Sequence, residues 1–370
     1  MIVLSGYYGF SNFGDDLFPI ACKKVLVFRT QKIRFLSPLQ DDLDGLCMLP
    51  KYVQPFYKHR IWGRALRSLA MVRVVVQASL LVLAGGSTLS SNTSRYMRRL
   101  EFFLSSFGFF RIAAIGVSVG PFFSEKDRVF YRKYIERLQF LVVRDDASVH
   151  EVEELGLIGK AARAADLVGV LRTDILATPA VKKSRVRKRI GVSICRYEEL
   201  QDPASNVDSG RFRSLLESLT EMHENYDCDF CILSLNADDV IGDNQISRNF
   251  ASQLSSYGLD AFSVDYKSPW ESISLIKSFD AFVSFRLHGA IVAYLAEIPF
   301  VLVEYHKKCG DFLTTIGYCS SCRIKDSQDS SEYSKSITGL LDNIATRISL
   351  PPAEYEHIAN FNFDPFDFAR

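Results

Sequence analysis

The chain has 370 residues, of which 48% are apolar, and a formal net charge of +1. That length exceeds one ordinary hydrophobic core and implies two domains, and the composition is that of a globular protein. Near-neutral charge argues against a general nucleic-acid binder, and no apolar run reaches the roughly 18 residues of a membrane span.

In chain order, strand-like runs alternate with helix-like stretches, which predicts α/β architecture with mostly parallel sheets. The opening Met1–Ser5 lacks the basic region and long apolar stretch of a secretory leader, so a cytoplasmic protein is expected. A strand over Ile2–Ser5 leads into Gly6-Tyr7-Tyr8-Gly9-Phe10-Ser11-Asn12-Phe13-Gly14-Asp15-Asp16. These glycines permit tight turns and close backbone approach to a ligand. Neither the GK[ST] of a nucleotide P-loop nor the GxGxxG dinucleotide pattern is present. Asn12 can bond a polar substrate, and Asp15 or Asp16 can cap a helix over 15–24. A strand is expected over 25–28.

Between Lys51 and Arg111 stand ten basic residues (Lys51, Lys58, Arg60, Arg64, Arg67, Arg73, Arg95, Arg98, Arg99, Arg111) and one acid, Glu101. Aromatic and aliphatic residues such as Tyr52, Phe56, Trp62 and Phe103 interleave them. Such a region either docks on anionic lipid, holds a phosphorylated ligand, or is a solvated basic face over an ordinary core. Arg73 and Gln77 interrupt its longest apolar run.

A strand over 80–84 precedes a second glycine turn, Gly85-Gly86-Ser87, and a helix over 94–107. A strand over 111–117 precedes a third, Gly116 to Phe122, and a helix over 125–138. Three small-residue turns at successive strand ends would line one side of a cleft. The strand over 140–144 ends in Arg144-Asp145-Asp146, where Arg144 either grips a carboxylate or phosphate or pairs internally with Asp145 or Asp146. A short strand over 166–170 is possible on pattern. Residues 173–189, with Pro179 and a run of Lys and Arg, carry a linker signature.

The pattern then restarts, with strands over 190–195, 230–235, 261–264, 281–284 and 300–303 and helices over 210–226, 246–257, 268–278 and 289–296. The segment Ser284-Phe285-Arg286-Leu287-His288-Gly289 puts a cation and an imidazole at a strand-to-helix turn. Unpaired N–H groups and the helix dipole favour anions there, at the carboxyl end of a strand where α/β ligands bind. A salt-bridged Arg286 and a structural His288 are the competing reading. Glu304-Tyr305-His306-Lys307-Lys308 follows the last strand. Eight scattered cysteines suit reduced thiols. The pairs Cys228/Cys231 and Cys319/Cys322 lack a knuckle-like setting, so no metal is expected. Residues 351–370 read as an aromatic tail packing across a domain.

The motifs Gly6-Tyr7-Tyr8-Gly9, Asn12, Gly14-Asp15, Gly85-Gly86, Gly116 to Phe122, Val143-Arg144-Asp145, Arg286-Leu287-His288-Gly289 and Tyr305 to Lys308 together resemble the polysaccharide pyruvyl transferase family. They run in family order from Gly6 to about Gly317. The resemblance implies an α/β fold of two Rossmann-like domains facing a cleft, GT-B-like. Residues 1–172 would be the acceptor side, 173–189 the linker, 190–350 the donor side and 351–370 the tail. It further implies transfer of pyruvate from phosphoenolpyruvate to a sugar diol as a cyclic ketal, in cell-surface or exopolysaccharide biosynthesis.

The resemblance carries over Arg144, His288 and Lys308 as functional residues. Arg144, Arg286, Lys308 and Gly289 are the expected donor-binding set, and His288 the proton carrier, since imidazole titrates near neutrality. Gly9, Asn12, Asp15, Gly85, Gly86 and Ser87 are the expected acceptor or cleft-lining residues. Phosphoenolpyruvate enters as donor substrate; no cofactor or metal is called for, because cationic side chains neutralise its charge. A saccharide acceptor is expected, with a lipid-linked one and peripheral contact with the inner membrane face as extensions. Two departures stand out: Ala84-Gly85-Gly86-Ser87 has less glycine than the family turn, and His306-Lys307 replaces an acidic residue and proline, leaving Lys307 and Lys308 as alternatives. The rival readings are a GT-B glycosyltransferase using a nucleotide sugar and a non-catalytic family member acting as a binding subunit.

Overall fold

A computed structural model describes the chain except residues 30, 31, 39, 44, 54, 55, 57–61, 94, 182–186, 239, 240, 326–328, 342–347 and 368–370, and except the side chains of Val53 and Arg64. Lys58, Arg60 and most of the basic run in 173–189 therefore lie outside the described residues. The chain divides into two compact units. The N-terminal unit comprises Met1–Phe10, Asp15–Val170 and Glu356–Arg370; the C-terminal unit comprises Ser11–Gly14 and Leu171–Tyr355.

The N-terminal unit holds β1 (Ile2–Ser5), β2 (Ile33–Pro38), β3 (Cys47–Leu49), β4 (Leu80–Ala84), β5 (Arg111–Val117), β6 (Leu141–Val143) and β7 (Ala161–Arg163). They form one parallel sheet in the order β3-β2-β1-β4-β5-β6-β7. All five residues of β4 are buried, as expected of a parallel strand covered on both faces. The C-terminal unit holds β8 (Lys188–Ser193), β9 (Cys228–Leu233), β10 (Ala261–Val264), β11 (Ala281–Ser284) and β12 (Phe300–Leu302). This second parallel sheet has the order β10-β9-β8-β11-β12. In each sheet the order reverses beside the first strand, between β1 and β4 and between β8 and β11. Those are the switch points at which open α/β sheets bind ligands.

Two expected strands are absent. Residues 25–28 complete the helix Phe13–Arg29. Leu17, Phe18, Ala21, Cys22 and Leu26 are buried with helical spacing, while Phe28 is 88% exposed, a pattern a buried strand could not produce. Residues 167–170 fall in a 3-10 turn, Leu167–Leu171, and Asp166 just before it accepts the Val168 N–H on Oδ1 at 3.0 Å, withdrawing that N–H from any ladder. The strand at that edge is β7. β2 and β3 were not anticipated, nor was the helix Trp62–Gln77. Residues 352–366 of the expected tail form a helix, Pro352–Asn360, and a 3-10 turn, Phe361–Phe366. Among the described residues no helix is long and apolar enough to cross a membrane.

Candidate functional site

At the switch point of the C-terminal sheet, Ser193 and Ser284 are register partners with hydroxyls 3.0 Å apart. The Ser284 hydroxyl also accepts the Arg286 N–H at 3.1 Å and donates to the Arg286 carbonyl at 2.7 Å, which shapes the turn. Arg286 occupies the N-cap position of helix Leu287–Leu295 with extended backbone. Its guanidinium grips Asp243 in a fork, Nε to Oδ2 at 2.8 Å and Nη2 to Oδ1 at 2.5 Å. Asp243 is 1% exposed and stands at the N-cap position of helix Asn244–Ser256, yet its carboxylate caps nothing and goes to the arginine instead. Burial opposes the charge on Arg286, but Asp243 more than offsets it and holds the guanidinium above its ordinary range.

Cys195 lies beyond the end of β8, its thiol 3.8 Å from the Phe285 carbonyl. Burial pushes this thiol up to about 11, while the charges of Arg286 and Lys308 pull it down, so both cations act on the same space. Tyr305 bonds to it and is itself raised by burial. Lys308 is half-buried and Lys307 exposed, so the geometry turns Lys308 rather than Lys307 toward this cluster. Arg196, next after Cys195, acts on Asp243, and its buried Nε makes no hydrogen bond.

His288 sits half-buried in the first turn of the Leu287–Leu295 helix. A Cβ on Gly14 would lie 1.9 Å from its Nδ1, so the backbone of Gly14 packs on the imidazole. The strip carrying Gly14 is tied to the same unit: Asn12 bridges Asn236, the Phe13 N–H bonds Leu235 O at 3.0 Å, and the Ala237 N–H bonds Ser11 O at 2.8 Å. Gly289 faces the sheet, where a Cβ would meet Leu235 and Ser284 at 2.8 Å; its smallness serves helix-to-sheet packing.

Within the N-terminal unit, the Asp16 carboxylate accepts the Gly9 N–H at 2.9 Å. Gly85 closes on the Phe18 ring, a Cβ on Gly86 would have Asp15 Oδ1, Phe18 and Thr88 all at 3.9 Å, and Ser87 is exposed. Arg144 is 7% exposed and engaged on three sides: Ser118 Oγ at 2.7 Å, Asp166 at 3.0 Å and Asp145 at 3.6 Å. Of the two internal partners expected, Asp145 contributes while Asp146 pairs with Arg163 at 3.0 Å; Asp166 was not foreseen. Among the described residues no group of three His, Cys, Asp or Glu side chains could hold a metal ion.

The C-terminal unit thus gathers Arg196, Arg286, Lys308 and His288 at the carboxyl ends of β8, β11 and β12. Sequence reasoning missed Arg196 and Asp243, and it gave Gly14, a residue of the family motifs, no part in the site. Arg196 follows its strand as Arg286 does, so the same rule would have found it. Asp243 gave a weaker signal, an acid just before a helix.

The profile of the family described as polysaccharide pyruvyl transferase matches residues 12–307. No curated protein sequence matches the chain. Among solved structures it is similar to UDP-GlcNAc 2-epimerase from Methanocaldococcus jannaschii in complex with UDP-GlcNAc and UDP, with TM-score 0.61 and 11% identity over 97% of this chain and 98% of that one. S. aureus MnaA with UDP gives 0.64 and 8% over 100% and 98%. A glycosyltransferase from Rickettsia africae gives 0.60 and 12% over 98% and 94%. At these identities the likeness shows the fold alone, two parallel-sheet α/β domains of the GT-B type.

Proposed function

The chain belongs to the polysaccharide pyruvyl transferase family, and from that membership we propose that it transfers pyruvate from phosphoenolpyruvate to a saccharide diol as a cyclic ketal. The observation that carries this reading is the Arg286–Asp243 fork beside Arg196, Lys308 and His288. Phosphoenolpyruvate bears a carboxylate and a phosphate ester on one carbon, so it needs several fixed cations. Arg286, held charged and in plane by Asp243, is suited to one of them; Lys308, Arg196 and the first-turn N–H groups supply further positive potential. The family pattern adds Arg144 to the donor set. Gly9, Asn12, Asp15, Gly85, Gly86 and Ser87 are assigned to the acceptor, a saccharide of a cell-surface polymer, carried on lipid and met in the cytoplasm.

In the reaction a proton is added to the methylene carbon, making it a methyl group. One sugar oxygen bonds to the adjacent carbon, and the phosphate departs with the electron pair of its C–O bond. The second sugar oxygen closes the ketal. Of the two hydroxyl protons, one balances the proton given to carbon and the other leaves with phosphate. His288 moves the proton, and the surrounding cations stabilise the oxocarbenium-like centre and the departing phosphate.

Calorimetric titration with phosphoenolpyruvate, UDP and GDP tests the reading. Wild type should bind phosphoenolpyruvate; Arg286→Ala should weaken it roughly a hundredfold, and Asp243→Asn, which loosens the fork, roughly tenfold. A response to UDP or GDP with none to phosphoenolpyruvate would move the assignment to glycosyl transfer.

A further inference from the structure

The helix Trp62–Gln77 in the N-terminal unit buries Ala70, Met71 and Val74 against the core. One apolar stripe is all that such a helix needs. It carries a second, on its outer side: Ala65, Leu69, Val72 and Val76 recur at spacings of four, three and four, and Leu69 and Val76 are 65% and 76% exposed. The helix Arg95–Ser106 repeats the arrangement. Its outer residues Tyr96, Arg99 and Phe103 continue into Phe107, and the rings of Phe103 and Phe107 meet at 4.8 Å in the open. A 2.6 Å hydrogen bond between Ser68 and Tyr96 joins the two helices. Contiguous exposed apolar surface of this kind marks an interaction face.

Charge selects the occupant. Arg73 and Arg99 are exposed residues of these helices, Arg73 also donating to the Met48 carbonyl at 2.7 Å and Arg99 lying over the Phe130 ring at 6.0 Å, so each brings positive charge to the border of the apolar stripe. The one acid between Lys51 and Arg111, Glu101, is turned inward, 2.7 Å from Arg98 and 2.7 Å from the Tyr134 hydroxyl. The sequence of the Trp62–Gln77 helix contains no acid, so pairing it with a second copy would set arginine against arginine without a compensating carboxylate. An anionic lipid surface supplies both complements, headgroup charge for the arginines and the acyl boundary for the apolar stripe. We infer that the outer face of helices Trp62–Gln77 and Arg95–Ser106 docks this protein on an anionic bilayer, lying on it rather than spanning it.

Co-sedimentation with vesicles, without donor or acceptor, tests this independently of the pyruvyl reading. Vesicles of equal parts phosphatidylglycerol and phosphatidylcholine should capture the protein, and vesicles of phosphatidylcholine alone should not. The double variants Leu69→Ser with Val76→Ser, Phe103→Ser with Phe107→Ser, and Arg73→Ala with Arg99→Ala should each weaken capture about tenfold or more. All six positions are exposed, so phosphoenolpyruvate titrations should stay at wild-type values and melting temperatures should fall by no more than a few degrees, the arginine pair losing its contacts with the Met48 carbonyl and the Phe130 ring; should an apolar variant misfold, the arginine pair still decides. Equal capture by both vesicle types, or by wild type and all three variants, would overturn the inference. So would a concentration-dependent dimer in sedimentation velocity that the Leu69→Ser with Val76→Ser variant abolishes, with no lipid binding.

Discussion

Gly14 illustrates how a single missing side chain shapes this molecule. Its Cα faces the imidazole of His288 so closely that even a methyl group would fall 1.9 Å from Nδ1. Glycine here is therefore a requirement of approach, not of backbone angle. Gly14→Ala should displace the ring and, on the proposed mechanism, lower kcat roughly a hundredfold while leaving phosphoenolpyruvate affinity within a few-fold of wild type. Single-turnover kinetics with parallel calorimetry separates the two; a variant with unchanged kcat would remove His288 from proton transfer. Arg144 teaches a different lesson. Its strand-end position and a pairing with Asp145 are visible in the sequence, but the hold by Ser118 and Asp166 is not, because Asp166 stands just before a 3-10 turn, in a stretch whose pattern reads as strand.

At the scale of elements, strands β8 and β9 set the environment of three cysteines. Cys228 and Cys231 both lie in β9, whose six residues are all buried. Burial pushes Cys228 to about 11 and Cys231 to about 12, and Cys195 beyond β8 to about 11, from an ordinary value of 9.0. Each folded value lies above the unfolded one, so the neutral thiols contribute their stability fully below about pH 9 and lose it as pH rises toward 11 to 12. Melting temperature should accordingly fall between pH 9 and pH 11 (a window set by those same values), and Cys231→Ala should flatten the slope. Equal slopes in both proteins would show that other groups govern alkaline unfolding. The helix Phe13–Arg29 shows where local pattern misled: Val25, Leu26, Val27 and Phe28 look like a strand in isolation, and only their phase relative to Leu17 and Cys22 makes them a helix.

For the whole molecule, the N-terminal unit is completed by the last residues of the chain. Asn362, fully buried, donates to the Ala165 carbonyl at 2.9 Å, Phe366 stacks edge-on to Phe140 at 5.2 Å, and Arg29 bonds both the Phe363 carbonyl at 2.9 Å and Asp367 at 2.8 Å. Removing everything after Tyr355 strips two buried phenylalanines from this core, each worth about 3–5 kcal/mol in a truncation to alanine. Chemical denaturation of that truncation should show an early transition for the N-terminal unit, with the C-terminal transition retained. One unchanged transition would mean that the segment is ornamental to stability.

Alternation of strand and helix, the Arg286-Leu287-His288-Gly289 turn and the ordered family motifs were all legible in the chain itself, since each is written in a window of a few residues. β10, β11 and the helix Glu125–Arg137 fall within a residue of where periodicity put them. Partnership across distance was not legible. The fork between Arg286 and Asp243 joins residues 43 apart, and the contact of Gly14 with His288 joins the first turn of the chain to the Leu287–Leu295 helix. Such pairs depend on strand order, which sets β8 beside β11 and brings the ends of β8, β11 and β12 to one edge. Local sequence determined which side chains stand at strand ends; the tertiary fold alone decided which of them meet, because strand neighbours are chosen by burial of whole faces rather than by any nearby residue.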